Sequence, residues 1–185
     1  MSVLDYIRYF PNFVDSQLCD DVLNHYKENA QWQSSTFSDG TGVLPGSEER
    51  VKMDEYWIHQ DEKYYHELKV FFRNAVMEYI QAFPQIAPQA FTSFRMNHYP
   101  VGGFMESHID NIHHSHGQEY GYPHLTALVL LNDDYAGGDF ELCGGGFVAN
   151  KQKGSVIVFP SNFMFPHEVK RVTEGDRFSL MTWIM

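Results

Sequence analysis

Leu125-Thr126-Ala127-Leu128-Val129-Leu130-Leu131 is an unbroken, mostly apolar run. It is short for a core helix, and the turn signals Asn132-Asp133-Asp134 and Gly137-Gly138 follow it at once, so it reads as a strand buried on both faces. The same grammar continues downstream. Phe140 and Leu142 alternate with Glu141 and Cys143, and Ser155-Val156-Ile157-Val158-Phe159-Pro160 is a second strand, stopped by its proline. A last strand runs from Arg177 to Ile184, with Arg177, Ser179, Met181 and Trp183 on one face and Phe178, Leu180, Thr182 and Ile184 on the other.

Upstream of about residue 90 the pattern changes. Asp15 or Ser16 can cap a helix, and Leu18, Val22 and Tyr26 then recur at spacings of four, which predicts a helix over roughly residues 16–29. Between Asp61 and Ala82, the residues Tyr65, Leu68, Phe72, Val76 and Ile80 trace one apolar helical face, with Pro84 and Pro88 after its end. Residues 34–50 are polar and glycine-rich, either a plain loop or a lid over a substrate. Helices first and many short strands later predict an α+β fold, with helices supporting a β-sandwich or barrel. Nothing marks a boundary, so residues 1–185 read as one domain: a helical support over about 1–89 and a β core over about 90–185.

Bulk properties narrow the function classes. Of the 185 residues, 43% are hydrophobic and 16% aromatic, enough for a substantial core. A formal net charge of -11 argues against a large nucleic-acid surface, because phosphate binding needs clustered Lys and Arg. Cys19 and Cys143 imply no disulfide framework, so a reducing compartment is the simpler expectation. The first residues lack the pattern of a signal peptide, and no apolar run approaches the ~20 residues of a membrane helix. The expectation is a soluble, cytoplasmic protein with no membrane partner.

Ten histidines require selection. In an extended segment residues two apart point the same way, so His108 and Asp110 of His108-Ile109-Asp110 would present an imidazole and a carboxylate to one point. A third histidine would complete a two-His, one-carboxylate triad, which leaves open positions on iron(II). A second such triplet, His59-Gln60-Asp61, precedes a helix that Asp61 could cap, and it reads as structural. His167 alone could be an ordinary loop histidine. Arg177 changes that reading. It enters an otherwise apolar strand face, where a lone guanidinium is costly unless it meets an anion. Its planar fork suits a carboxylate.

These residues together resemble the prolyl-4-hydroxylase-like branch of the Fe(II)/2-oxoglutarate-dependent dioxygenases. In that family H-x-D is followed, after roughly fifty to sixty residues, by His and then, about ten residues on, by Lys or Arg; His108, Asp110, His167 and Arg177 match in order and spacing. Asn97-His98-Tyr99-Pro100, the run from Leu125 to Asn132 with Gly137-Gly138-Asp139-Phe140, Lys153 to Pro160, and Val172-Thr173-Glu174-Gly175-Asp176-Arg177-Phe178 resemble the strands and turns around those residues. Phe10-Pro11-Asn12-Phe13-Val14 more weakly resembles the family's opening strand.

The resemblance implies a double-stranded β-helix, or jelly-roll, core with N-terminal supporting helices. It implies iron(II) on His108, Asp110 and His167, and 2-oxoglutarate chelating that iron with its distal carboxylate on Arg177. Tyr99 and Thr126 then fall where the family places hydroxyls near that carboxylate, and Trp183 walls the pocket. Dioxygen would be the oxidant and ascorbate a reductant. Succinate and CO2 would leave as a substrate C–H is hydroxylated. The implied substrate is a prolyl residue in a peptide or protein.

Met105, three residues before His108, is apolar where some members carry Tyr. His113, His114, His116 and His124 follow the Asp, as a solvated loop or a substrate-contacting flap. Other readings share part of the pattern. An oxygenase could act on a free amino acid, another small molecule or nucleic acid, although the charge disfavours the last. A non-catalytic β-sandwich, or a cupin-like metal protein with no need of Arg177, is the alternative from a different class.

Overall fold

The computed structural model describes residues 2–37, 42–88, 90–110 and 122–185. Two antiparallel sheets face each other. The larger is seven-stranded, in the order β1 (Arg8–Phe10), β11 (Val156–Pro160), β7 (Leu125–Leu130), β14 (Arg177–Ile184), β5 (Phe94–Tyr99), β4 (Asp54–Ile58) and β2 (Gln33–Ser34). The smaller is five-stranded, ordered β10 (Phe147–Val148), β9 (Phe140–Leu142), β12 (His167–Val169), β6 (Phe104–His108) and β3 (Val51–Lys52). A two-stranded ribbon joins β8 (Ala136–Gly137) to β13 (Val172–Glu174).

Three α-helices occur among the described residues: α1 (Ser16–Asn29), the short α2 (Ser47–Arg50) and α3 (Tyr65–Ala82). Asp15 caps α1 by accepting from the N–H groups of Gln17 and Leu18, and the helix has the limits its apolar spacing predicts. The start of α3 differs from expectation. Tyr64, at φ +70°, occupies the N-cap in the left-handed region with no side-chain cap bond, so Asp61 lies outside the helix. His59 instead donates its backbone N–H to Glu62 Oε1 at 2.7 Å.

The apolar run at 125–130 is explained by two cores. Leu125, Ala127 and Val129 meet Val22, Tyr26, Leu68, Phe72 and Val76 of α1 and α3 on the outer face of the large sheet. Leu128 and Leu130 face the other way, into the space between the sheets, with Phe140, Ile157, Phe159, Met181 and Trp183. The period of two puts Arg177, Ser179, Met181 and Trp183 on that inner face.

The stretch expected as helical support also supplies β1 to β4, so both sheets carry N-terminal strands. Residues 34–37 and 42–50 carry more structure than a loop reading implies. They hold the end of β2, the turn of α2, and the buried side chains of Phe37 and Ser47, whose hydroxyl accepts from Phe37 N–H at 2.6 Å. His113, His114 and His116 lie outside the described residues. No helix among the described residues is long and apolar enough to cross a membrane.

Candidate metal centre

His108 closes β6 and His167 opens β12, and the two strands pair so that these residues stand directly opposite. Their rings lie 4.3 Å apart. Asp110 sits two residues past His108, just beyond the strand end, and turns back between the rings. His108 Nε2 lies 3.7 Å from Asp110 Oδ1, and His167 Nε2 lies 3.5 Å from Asp110 Oδ2. One ligand-capable atom from each residue falls within 4.8 Å of the others, and among the described residues no second cluster of this kind occurs. His59 and Asp61 are not drawn into it.

The surroundings set the chemical state of this triad. His108 Nδ1 lies 2.9 Å from the Glu106 carbonyl and His167 Nδ1 lies 3.2 Å from the Phe165 carbonyl. With Nδ1–H donating, each Nε2 is left as a lone pair facing Asp110, the tautomer a metal ligand needs. Burial, reinforced by the His167 charge, lowers the His108 pKa to about 3, so the ring is neutral at neutral pH. Burial pushes Asp110 up, but the two imidazoles and a hydrogen bond from Thr126 outweigh it, and its pKa falls to about 2. Two imidazoles and one carboxylate form a donor set that suits iron(II), zinc or manganese(II).

Outer contacts hold each ligand. Thr126 Oγ1 donates to Asp110 Oδ2 at 2.6 Å and lies 2.9 Å from Ser161 Oγ. Thr126, expected beside a co-substrate carboxylate, therefore has its hydroxyl on the Asp110 carboxylate. Phe159 stands edge-on to His167 at 5.0 Å, and Phe37 stands edge-on to His108 at 5.6 Å. The Arg50 guanidinium covers Phe37 at 4.2 Å. Phe37 and Arg50 thus contribute one wall of the centre.

Arg177 is the largest anomaly in the interior. It is fully buried, directly opposite Tyr99 on β5, with its guanidinium 5.0 Å from that ring. Nη1 donates to Ser179 Oγ at 3.0 Å, while Nε and Nη2 have no hydrogen-bond partner. No ion pair to Arg177 occurs among the described residues. A buried cation in this state is strongly unfavourable by itself. Nearby, Asn97 Oδ1 is also without a partner. Burial raises the Tyr99 pKa against the pull of Arg177 and Arg95, so its hydroxyl stays a donor at neutral pH.

Sequence reasoning missed Arg95. Its side chain lines the same cavity as the triad, together with Asn97, Tyr99 and Met181. The signal was present, since Arg95, Asn97 and Tyr99 alternate with Phe94, Met96 and His98 in β5 just as Arg177 does in β14. The Arg95 guanidinium lies 5.2 Å from the Trp183 ring, which stands 5.8 Å from Trp57.

Comparison with known proteins agrees with this geometry. Residues 94–185, about half of the chain, match the family described as the 2OG-Fe(II) oxygenase superfamily. A PKHD-type hydroxylase of Rippkaea orientalis is 32% identical over 103 residues, which is 54% of this chain and 45% of that protein. The matches cover only 45% and 61% of the lengths of the first two curated relatives. Among solved structures, the viral collagen prolyl hydroxylase of Paramecium bursaria Chlorella virus-1, in its 2OG complex, aligns at TM-score 0.73 and 16% identity, over 99% of this chain and 98% of that one. The prolyl hydroxylase of Trichoplax adhaerens, in complex with a hypoxia inducible factor peptide, aligns at TM-score 0.73 and 20% identity, over 98% of this chain and 85% of that one. At these identities the likeness establishes the fold, a double-stranded β-helix.

Proposed function

Because this chain belongs to the 2OG-Fe(II) oxygenase superfamily, we propose that it is an iron(II)- and 2-oxoglutarate-dependent hydroxylase acting on a prolyl residue in a peptide or protein. The observation that carries the reading is Arg177: a fully buried guanidinium with two unpartnered nitrogens, on the inner face of the strand behind the triad. A dicarboxylate anchored at the metal by one end supplies the anion this group lacks. A cupin-like metal protein has no use for it.

In this reading His108, Asp110 and His167 hold the metal, Arg177 takes the distal carboxylate of 2-oxoglutarate, and the Tyr99 hydroxyl and Ser179 complete its seat. Thr126 braces Asp110, and Trp183 backs Arg95, which lines the cavity. The bound iron, co-substrate and dioxygen together supply the oxidising chemistry, in which 2-oxoglutarate goes to succinate and CO2 and one oxygen atom enters a substrate C–H bond. The chain's own part is to fix the ligand tautomers, to neutralise the co-substrate at a dry site, and to exclude water with Phe159, Phe37 and the paired indoles. The cavity at the triad measures about 20 Å³, room for an ion or one water. Co-substrate binding therefore requires side-chain movement, and the unbranched Met181 is suited to it. The prolyl substrate is supported by the prolyl hydroxylases among the similar solved structures and by the peptide held in the Trichoplax adhaerens enzyme.

The test is succinate formation with iron(II), 2-oxoglutarate, ascorbate and air, with and without a pool of proline-containing peptides, the peptides being weighed for the gain of one oxygen. Expected are succinate release, stimulation by at least one peptide, and neither in His108→Ala. Absence of succinate from the wild-type protein overturns the oxygenase reading. Oxidation of a free amino acid with no peptide product moves the substrate assignment.

A further inference from the structure

β4 and β5 pair with Glu55 opposite Asn97 and Trp57 opposite Arg95. Alternation sends all four side chains toward the interior. Arg95 is only 8% exposed. Its guanidinium lies 5.6 Å from the Trp57 ring and 5.2 Å from that of Trp183. Nη1 reaches Glu55 Oε2 at 3.4 Å, and the other Glu55 oxygen accepts from Trp57 Nε1–H at 3.2 Å. Nη2 rests on Met181 Sδ, a weak acceptor, and Nε has no partner.

This ion pair is loose. Charge-assisted N–H···O bonds close to about 2.7–2.9 Å, and Arg–carboxylate pairs are often bidentate, whereas Glu55 offers one oxygen at 3.4 Å. The group is a neutralised cation with unspent N–H donors, lining the cavity of His108 and Asp110. It differs from Arg177, whose charge has no counter-ion among the described residues. A neutralised guanidinium suits a neutral carbonyl oxygen; an unneutralised one suits a carboxylate.

What lies outside Arg95 says which carbonyl. Glu55 and Trp57 also line a polar hollow of about 300 Å³, together with Asn29, Gln31, Gln33 and His59. Its amide side chains both donate and accept, as an extended backbone requires. The hollow borders β2, the two-residue edge strand of the seven-stranded sheet. An exposed edge can accept an extended chain by strand addition.

We propose that Arg95 is the specificity-determining residue of this site, donating its free N–H groups to a backbone carbonyl of a peptide that enters through the hollow beside β2, with Trp57 and Trp183 flanking the residue to be hydroxylated. The inference rests on the oxygenase reading above and adds to it a residue, a contact and an entry path.

The test uses end-capped, proline-containing heptapeptides as one pool and free L-proline as a second probe. Two variants are needed, because removing Arg95 alone strands Glu55. The first is the double variant Arg95→Met with Glu55→Gln, which removes the pair together; the second is Arg95→Lys. Peptide KM is measured by mass spectrometry of the oxygenated product. The 2-oxoglutarate Kd is measured by calorimetry, anaerobically, with a redox-inert divalent metal. A hydrogen bond to a charged group is worth about 1.5–3 kcal/mol, so the double variant is expected to raise peptide KM about 10- to 100-fold and to leave the 2-oxoglutarate Kd within about threefold. Arg95→Lys is expected to fall between it and wild type.

An unchanged peptide KM overturns the inference. So does a 2-oxoglutarate Kd that weakens in step with KM, which would make Arg95 a co-substrate residue. Hydroxylation of free proline with capped peptides untouched also overturns it, since the acceptor would then be a carboxylate. If the wild-type protein turns over 2-oxoglutarate but oxidises neither probe, this inference fails while the oxygenase reading survives. If it makes no succinate at all, both fail.

Discussion

Two arginines face the space between the sheets, and their surroundings are opposite in kind. Arg177 stands opposite Tyr99, fully buried, with a neutral hydroxyl as its hydrogen-bond partner and no ion pair among the described residues. Arg95 stands opposite Met181 and Trp57, clamped between two indoles and paired to Glu55. Both sit on the inner face of the same sheet. The difference teaches that burial of a charge does not by itself identify a binding group; its internal counter-ion does. Arg177 leaves an unmet demand for an anion, whereas Arg95 meets its demand within the fold and keeps directional donors to spare.

The contrast breaks first at Arg177. Removing one partner of a buried charge pair costs about 2–5 kcal/mol, or roughly 30- to several-thousand-fold in affinity. Arg177→Met is therefore expected to raise the 2-oxoglutarate Kd at least ~30-fold in anaerobic calorimetry with a redox-inert metal. Metal affinity should hold, since no ligand is touched. Arg177→Lys should keep part of the affinity, because the charge stays and the planar fork is lost. The protein without co-substrate should be no less stable as Arg177→Met, because the variant removes an uncompensated buried charge. An unchanged 2-oxoglutarate Kd would make the two arginines alike and return the cupin-like reading.

Thr126 separates the metal from both arginines. Its hydroxyl donates to Asp110 Oδ2 at 2.6 Å. Thr126→Val keeps the shape and removes the bond. Partners that orient a metal ligand typically contribute about 10- to 100-fold in metal affinity, and a loss of that size is expected in a metal titration. If instead metal affinity is retained and 2-oxoglutarate affinity falls, Thr126 belongs with Arg177.

The regions differ in how far the sequence discloses them, and the cause is physical. β7, β11 and β14 carry long apolar or alternating runs because both their faces are covered, one by α1 and α3 and one by the small sheet. Their runs were legible as strands, and in β14 the alternation gave the inward face of Arg177. β2, β3 and β4 were not. β2 and β3 have two residues each, too few to show a period, and β4 (Asp-Glu-Tyr-Trp-Ile) carries charge on both faces because Glu55 is answered by Arg95 across the sheet. A polar residue paired inside looks, in one dimension, like a polar residue outside. His167 was reached through its spacing to Arg177, and the grouping of His108 with Asp110 through their separation by two residues, whereas the end of β6 at His108, which leaves Asp110 just past the strand, was not.

Gly138 holds Arg177 from behind. It adopts φ +63°, and an added Cβ would lie 3.0 Å from Val172 Cγ2 and 3.1 Å from Arg177 Cδ. The left-handed backbone alone costs a non-glycine residue about 1–2 kcal/mol. Gly138→Ala is expected to lower the unfolding free energy by about that amount in urea titration and to weaken 2-oxoglutarate severalfold by shifting the guanidinium. Peptide KM, read at saturating 2-oxoglutarate, should not follow. If it does, the two arginines are coupled through the sheet rather than independent.

The smallest effect is expected at Trp57, and it sharpens the Arg95 side. Trp57→Phe keeps a smaller aromatic ring against the Arg95 guanidinium and deletes the N–H that donates to Glu55 Oε1 at 3.2 Å. Glu55 is 20% exposed, so water can replace the lost donor and most of the bond energy is recovered. What changes is orientation: the indole holds one Glu55 oxygen outward, and without it the carboxylate is free to close on Arg95 with both oxygens. A tighter pair leaves Arg95 fewer free donors. Peptide KM should therefore rise, by about two- to fivefold, less than 1 kcal/mol. The 2-oxoglutarate Kd should stay at its wild-type value, because the Tyr99–Arg177–Ser179 group is untouched. A fall in peptide KM would mean that Glu55 competes for Arg95 through its present orientation, and that the indole N–H opposes substrate binding instead of preparing for it.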